Sequence, residues 1–345
     1  MNKGKRIIRF QSMPQLQSAA SVVGKLEHEG PLGEYFDMHD SSDAYGKSTF
    51  EQAESEMQRL ALNLAMSKIK LRQEEIKAVF AGDLLNQCTG SSYGLADFGI
   101  PFFGLYGACS TAAEALMLAA LTVDREVFSR AAAVVSSHNG SAERQFRFPL
   151  EYGSQRPPTA QWTVTGAAAF ILGNSREFRD EYGRTREIEG LPRICEALPG
   201  RILDKGISDA NNMGAAMAPA AADTILSYFS ESGESPDSFD IIATGDLGHE
   251  GNSICRELMA AEGVRSGDNF TDCGMLIYDE AQDTHSGGSG CGCSATVLAG
   301  YITEQFRRGV FKNALLIGTG ALMSPSMIQQ GKSIAGIGHL VRLMK

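Results

Sequence analysis

Ala81-Gly82-Asp83-Leu84, then Gly107-Ala108-Cys109-Ser110, an Ala-rich apolar run, Val127-Phe128 and the apolar stretch 131–135 form one ordered series. The same order returns later as Thr244-Gly245-Asp246-Leu247, then Cys291-Gly292-Cys293-Ser294, a second apolar run, Val310-Phe311 and the stretch 314–317. Two copies in one order indicate a duplicated α/β unit, with halves at 1–185 and 186–345. The runs after each Cys-Ser step, 112–121 and 295–302, are apolar on nearly every face, so each predicts a helix buried all round. Ser110 or Thr111 opens the first, with Glu114 placed for a capping box. Two such helices need sheets on both sides, and the layered solution encloses them between two sheets with further helices outside. Pseudo-twofold symmetry then brings their N-termini together, which is where a deep site is expected.

Outward from this pair, the remaining segments supply the layers. Residues 52–70 carry apolar positions at helical spacing, and 78–81, 101–105, 131–137 and 163–172 read as strands. The segment 11–50 mixes Gly, Pro, Ser and charge with weak periodicity and reads as irregular surface structure. The stretch 136–162 has no counterpart of comparable length in the second copy. It holds Arg144, Arg147 and Arg156 among Phe146, Phe148 and Tyr152, and long insertions on a rigid scaffold are where specificity is usually placed.

The 345 residues carry 31 basic and 41 acidic side chains, a net charge of -10. That balance argues against a general nucleic-acid or anionic-membrane surface, so an anionic ligand must meet a local basic pocket. Seven cysteines without zinc spacing fit reduced thiols. The start of the chain lacks an apolar core of secretory length, and the longest apolar stretches are broken by glycines, so any work at a membrane is expected to be peripheral.

Cys109 is the leading reactive group, because a helix N-terminus stabilises a thiolate and offers half of an oxyanion hole; it is equally read as a small apolar residue at a tight junction. His138, just beyond the strand 131–137, could orient a thiol or bond a ligand, or be a loop histidine satisfied by backbone. Asp83 and Asp246 end equivalent strands and could hold a cation, bond a ligand or cap the next turn. Arg144 and Arg147 offer planar donors to a carboxylate, or pair with Glu143 and Glu151. His249 beside Asp246 and Glu250 gives no defined metal geometry and reads as surface polarity. The glycines at 287, 288, 290 and 292, and at 318 and 320, mark close backbone packing rather than a phosphate loop.

Together these features resemble the thiolase superfamily over almost the whole length. The resemblance implies a five-layered αβαβα sandwich, with Cys109 at the nucleophile position and the glycine loop Ile317-Gly318-Thr319-Gly320 supplying an oxyanion N–H. Condensing enzymes of the superfamily place a His at the end of the strand that here reads Ile241-Ile242-Ala243-Thr244-Gly245-Asp246. Their next catalytic position falls in Gly287-Gly288-Ser289-Gly290, so the pair needed for Claisen condensation is lost.

Further ordered segments, among them Ser136-Ser137-His138-Asn139, Ala142-Glu143-Arg144-Gln145-Phe146-Arg147 and Met327-Ile328-Gln329-Gln330, narrow the resemblance to a sporulation branch of the superfamily. Met1 to Val23 departs from it. That branch implies a non-enzymatic protein that binds dipicolinic acid, and its calcium chelate, during uptake into the developing spore. It also implies membrane-embedded partners of the same spore transport system, a peripheral place on the inner forespore membrane, and a homodimer. Neither a resident cofactor nor a protein-bound metal is implied. Asp83, Cys109, His138, Arg144, Arg147, Ser289 and Gly320 are the ligand-site residues on this reading. The alternative is a Cys109-dependent acyltransferase or condensing enzyme.

Overall fold

A computed structural model describes residues 6–146, 156–175 and 177–345. The first half supplies β1 (Gln15–Val23), β2 (Ala78–Gly82), β3 (Phe102–Leu105), β4 (Arg130–Ser137) and β5 (Gly166–Gly173). The second supplies β6 (Arg193–Leu198), β7 (Ile241–Thr244), β8 (Phe270–Asp272), β9 (Asn313–Leu322) and β10 (Ala335–Met344). Their spatial orders are β3-β2-β4-β5-β1 and β8-β7-β9-β10-β6. In each set the first three strands are parallel and the last two join antiparallel. Identical order and polarity are the sequence repeat expressed in three dimensions.

The two sheets meet edge to edge through β1 and β6, where Gln15 pairs with Arg193. The N–H groups of Leu16 and Ile194 donate to the carbonyls of Pro192 and Pro14 at 3.0 and 2.9 Å. β1 overturns the expectation of irregular surface structure over 11–50. All nine of its residues are buried. Several of its polar side chains donate to backbone: Gln15 Nε2 to the carbonyls of Leu16, Leu191 and Pro192, and Ser18 Oγ to that of Ala65. Burial on both faces removes the apolar/polar alternation that would have marked a strand.

The helices fill the layers. α1 (Phe50–Ile69) is capped by Thr49, whose side chain accepts from the Gln52 N–H, and covers β1, β4 and β5. α2 (Thr111–Asp124) lies between the sheets, touching β2 and β4 on one side and β9 and β10 on the other. α3 (Asn139–Phe146) follows β4; α4 (Met213–Ser232) covers β9 and β10, and α5 (Gly248–Ala261) packs on α4. α6 (Cys291–Val297) packs beside α2 against β1, β4 and β5. The result is a helix–sheet–helix–sheet–helix sandwich.

Two details differ from the sequence reading. The α2 start is not a capping box: Thr111 Oγ1 accepts from the Gly107 N–H at 3.1 Å and donates to the Ala108 carbonyl at 2.7 Å, while Glu114 Oε2 is buried without a partner. The second buried helix begins earlier, at Cys291, and runs on through a π-helical turn, Leu298–Ile302, into Thr303–Arg307.

Candidate functional site

The chain leaves β3, makes one 3-10 turn over Ala108–Ser110, and enters α2. Ser110 Oγ donates to the Gly107 carbonyl at 2.6 Å, tightening the turn, and Ala108 sits at φ 52, a left-handed conformation rare for a residue with a Cβ. Gly320 is what allows this turn to sit where it does. A Cβ there would lie 2.7 Å from the Gly107 carbonyl oxygen and 3.0 Å from the Ser110 nitrogen. Ile317-Gly318-Thr319-Gly320 is therefore not a loop but the interior of β9, paired with β10, and Gly320 serves close backbone approach rather than forming part of a cavity wall.

Above the turn opens a cavity of about 250 Å³. Its walls are Leu84, Tyr106, Ala108 and Cys109, then Ala142, Glu143 and Phe146 of α3, then Thr163, Met213 and Ser289, and finally Ala321 to Ser324. Ser289 reaches it from the short strand Gly288–Ser289, which pairs with Trp162–Thr163. The lining is mainly apolar, with no Lys or Arg among the described residues that form it.

The floor is set by both halves together. Cys109 is buried and its thiol pKa is driven well above the ordinary value, first by burial and then by the adjacent Asp246 and Cys291. This reverses the expectation of a thiolate at a helix N-terminus: an uncharged thiol facing a carboxylate is favoured. Asp246, just past β7, accepts from Thr319 Oγ1 at 2.7 Å and from the Gly290 N–H at 2.9 Å. Burial raises its pKa to about 6. Cys291, two residues before Cys293, the second-half counterpart of Cys109, lies in turn beside Glu54 and Asp83. Of Cys109, Cys291 and Cys293, Cys109 lines the cavity.

Asp83 is buried and occupied. It accepts from the Leu85 N–H at 2.8 Å and from the N–H and Oγ of Ser91 at 2.7 and 2.6 Å, so it caps the turn after β2 and is absent from the cavity lining. Behind it Gln58 Nε2 donates to Ser91 Oγ and Ser136 Oγ, and Glu54 accepts from Ser136 Oγ at 2.9 Å and Ser141 Oγ at 2.7 Å. His138 is also fully engaged: Nδ1 accepts from the Gly140 N–H at 3.1 Å, and Nε2 lies 2.9 Å from the Asp43 carbonyl. Burial lowers its pKa. It is a satisfied loop histidine away from Cys109's cavity. Arg144 pairs with Glu51 across a shallow groove on the outer side of α3. Arg147, with Phe148 and Tyr152, lies outside the described residues. Of the expected trio at 246–250, His249 and Glu250 are exposed while Asp246 is buried. No group of three or more ligating side chains able to hold a metal occurs among the described residues, and no helix there is long and apolar enough to cross a membrane.

Glu54, Met213 and Met323 escaped the sequence reading; nothing in their local sequence marks them. Asp246 did carry a signal, its place in the repeat.

The family described as Stage V sporulation protein AD matches residues 4–344 of this chain. Stage V sporulation protein AD of Bacillus subtilis (strain 168) is 40% identical over 336 residues, covering 97% of this chain and 96% of that protein. Among solved structures, Xanthomonas campestris OleA is similar with a TM-score of 0.62 at 13% identity, covering 100% of both chains. The 3-oxoacyl-[acyl-carrier-protein] synthase III of Aquifex aeolicus VF5 is similar with a TM-score of 0.54 at 12% identity, covering 96% of this chain and 100% of that one. At such identities these two bear on the fold, which is thiolase-like.

Proposed function

This chain belongs to the stage V sporulation protein AD family, and on that premise we propose that it binds dipicolinic acid, free or as its calcium chelate, in the cavity above Cys109, without catalysis, during uptake into the developing spore. One observation carries the reading: the position of a thiolase-type nucleophile is kept, but its thiol is held protonated by burial against Asp246, with no imidazole among the described residues of the cavity wall. A thiol in that state attacks acyl groups poorly. The cavity is of the size and apolarity that suit a small flat ring, with Phe146 and Tyr106 to flank it. Arg147 follows Phe146 directly in the chain and is the proposed partner for a ligand carboxylate.

Docking on membrane-embedded proteins of the same transport system, a peripheral place on the inner forespore membrane, and a homodimer belong to the same proposal. Edge strand β3, with Phe102 and Phe103 exposed, is the surface that suits a second copy. Titration calorimetry of the purified protein with dipicolinate and with calcium dipicolinate tests the binding. Saturable heat is expected from both; none from folded protein overturns the proposal.

A further inference from the structure

Asp246 is a buried carboxylate that reaches the cavity through one side chain, Cys109, and no positive charge among the described residues pairs with it. Its carboxylate accepts from Thr319 Oγ1, the Gly290 N–H and the Cys109 thiol. Thr319 is fixed in that role, since its hydroxyl oxygen already accepts from the Asp246 N–H at 3.0 Å. All of these donors are neutral, and among the described residues no ion pair is made by Asp246.

The titratable groups that face it from neighbouring elements are acids as well. Asp272 at the end of β8 interacts with it electrostatically, as do Cys273 and, from α6, Cys291 and Cys293. Asp272 is itself held by Thr244 Oγ1, the N–H groups of Leu247 and Gly248, and that of Gly274. His249, three residues further along the chain, is exposed on α5. On the cavity side, Glu143 is the acidic residue among the described wall residues. The floor is therefore electronegative when Asp246 is ionised, and burial makes that charge hard to screen.

Resting on the dipicolinate reading above, we infer that Asp246 decides the charge state in which the cavity accepts its ligand: a free dicarboxylate enters together with one proton, which Asp246 takes up, whereas a cation-neutralised dicarboxylate enters with none. The balance is simple. One O–H bond forms on an Asp246 oxygen, the proton comes from the solvent buffer, and the carboxyl so formed can donate a hydrogen bond toward Cys109 Sγ or a neighbouring acceptor. Two carboxylates separated by a thiol in a mainly apolar pocket cannot both remain ionised at low cost, so the anionic ligand raises the proton affinity of Asp246. The starting position supports this, because Asp246 titrates near pH 6 in the free protein and so is mostly ionised, and able to accept a proton, at neutral pH. The calcium chelate brings no net charge and asks for no such change.

The test is calorimetry at about pH 7.5 in buffers of different ionisation enthalpy, with dipicolinate and with its 1:1 calcium chelate. The expected result is uptake of roughly half to one proton per dipicolinate bound and close to none for the chelate, with the affinity for free dipicolinate falling up to about tenfold per pH unit above neutrality. In Asp246→Asn the uptake disappears and that pH dependence flattens. Clear binding of free dipicolinate with a buffer-independent heat overturns the inference while leaving the binding reading intact, as does full uptake in Asp246→Asn. Should that variant fail to fold by circular dichroism, the wild-type contrast decides: equal proton uptake with both ligands overturns it. No heat with either ligand removes the binding reading and this inference with it.

Discussion

Replacing Glu54 with Gln should make the protein less sensitive to alkaline pH, and the size of the effect can be worked from the polar network under α1. Glu54 is fully buried, and its pKa is raised first by burial and then by the neighbouring Asp83. In the unfolded chain a glutamate releases its proton at about 4.3, whereas the folded protein keeps that proton well above this range. Between the two values the native state binds more protons than the unfolded state, so stability is complete below the unfolded pKa and falls as pH rises. One retained proton corresponds to about 1.4 kcal/mol per pH unit, hence about 2 to 3 kcal/mol between pH 5 and 7. The amide fits the same bonds. Its oxygen can accept from Ser136 Oγ, and its NH2 can donate to Ser141 Oγ, which is free to turn its hydrogen to the His138 carbonyl 3.1 Å away. Urea unfolding at pH 5, 6, 7 and 8 is the assay. Glu54→Gln is expected to match wild type at pH 5 and exceed it at pH 8, with a slope shallower by one proton. A variant with the wild-type slope, or one weaker at pH 8, refutes the reasoning.

Gly290→Ala should cost about 2 to 4 kcal/mol in thermal or urea unfolding: the residue sits at φ 99, and the new Cβ would lie 2.6 Å from Ser137 Oγ and 3.0 Å from Ser137 Cβ. A loss under about 0.5 kcal/mol would show that the turn beneath Asp246 can relax. Cys109 should remain unmodified after long incubation with acyl-CoA at neutral pH, read by intact mass spectrometry, because its thiol pKa is driven far upward. An acyl adduct absent from Cys109→Ala would instead favour the acyltransferase alternative.

Much of the architecture could be read without coordinates because the sequence says it twice. Gly-Asp-Leu and Cys-Ser recur in the same order, each Cys-Ser followed by an apolar run, and similar segments under similar packing constraints give the same strand order in both sheets. β1 was not legible, since a strand buried on both faces shows no alternation and its glutamines and serines resemble loop residues until their backbone partners are known.

Within the site, local sequence placed Cys109 at the mouth of α2 and Phe146 within the insertion, because a strand, a tight turn and a helix start are short-range events. It left open whether Asp83 and His138 touch a ligand. Only the fold decided that Ser91 occupies Asp83 and that the Gly140 N–H and the Asp43 carbonyl occupy His138. The same holds for the protonation of the cysteine. A helix N-terminus alone predicts a thiolate, but the partner that governs Cys109 is Asp246, brought from the opposite half by the pseudo-twofold packing of two sheets. Sequence determines which groups a chain carries and what they do to near neighbours; electrostatics in a buried site depends on distances between groups far apart in the chain, and only the tertiary structure sets those.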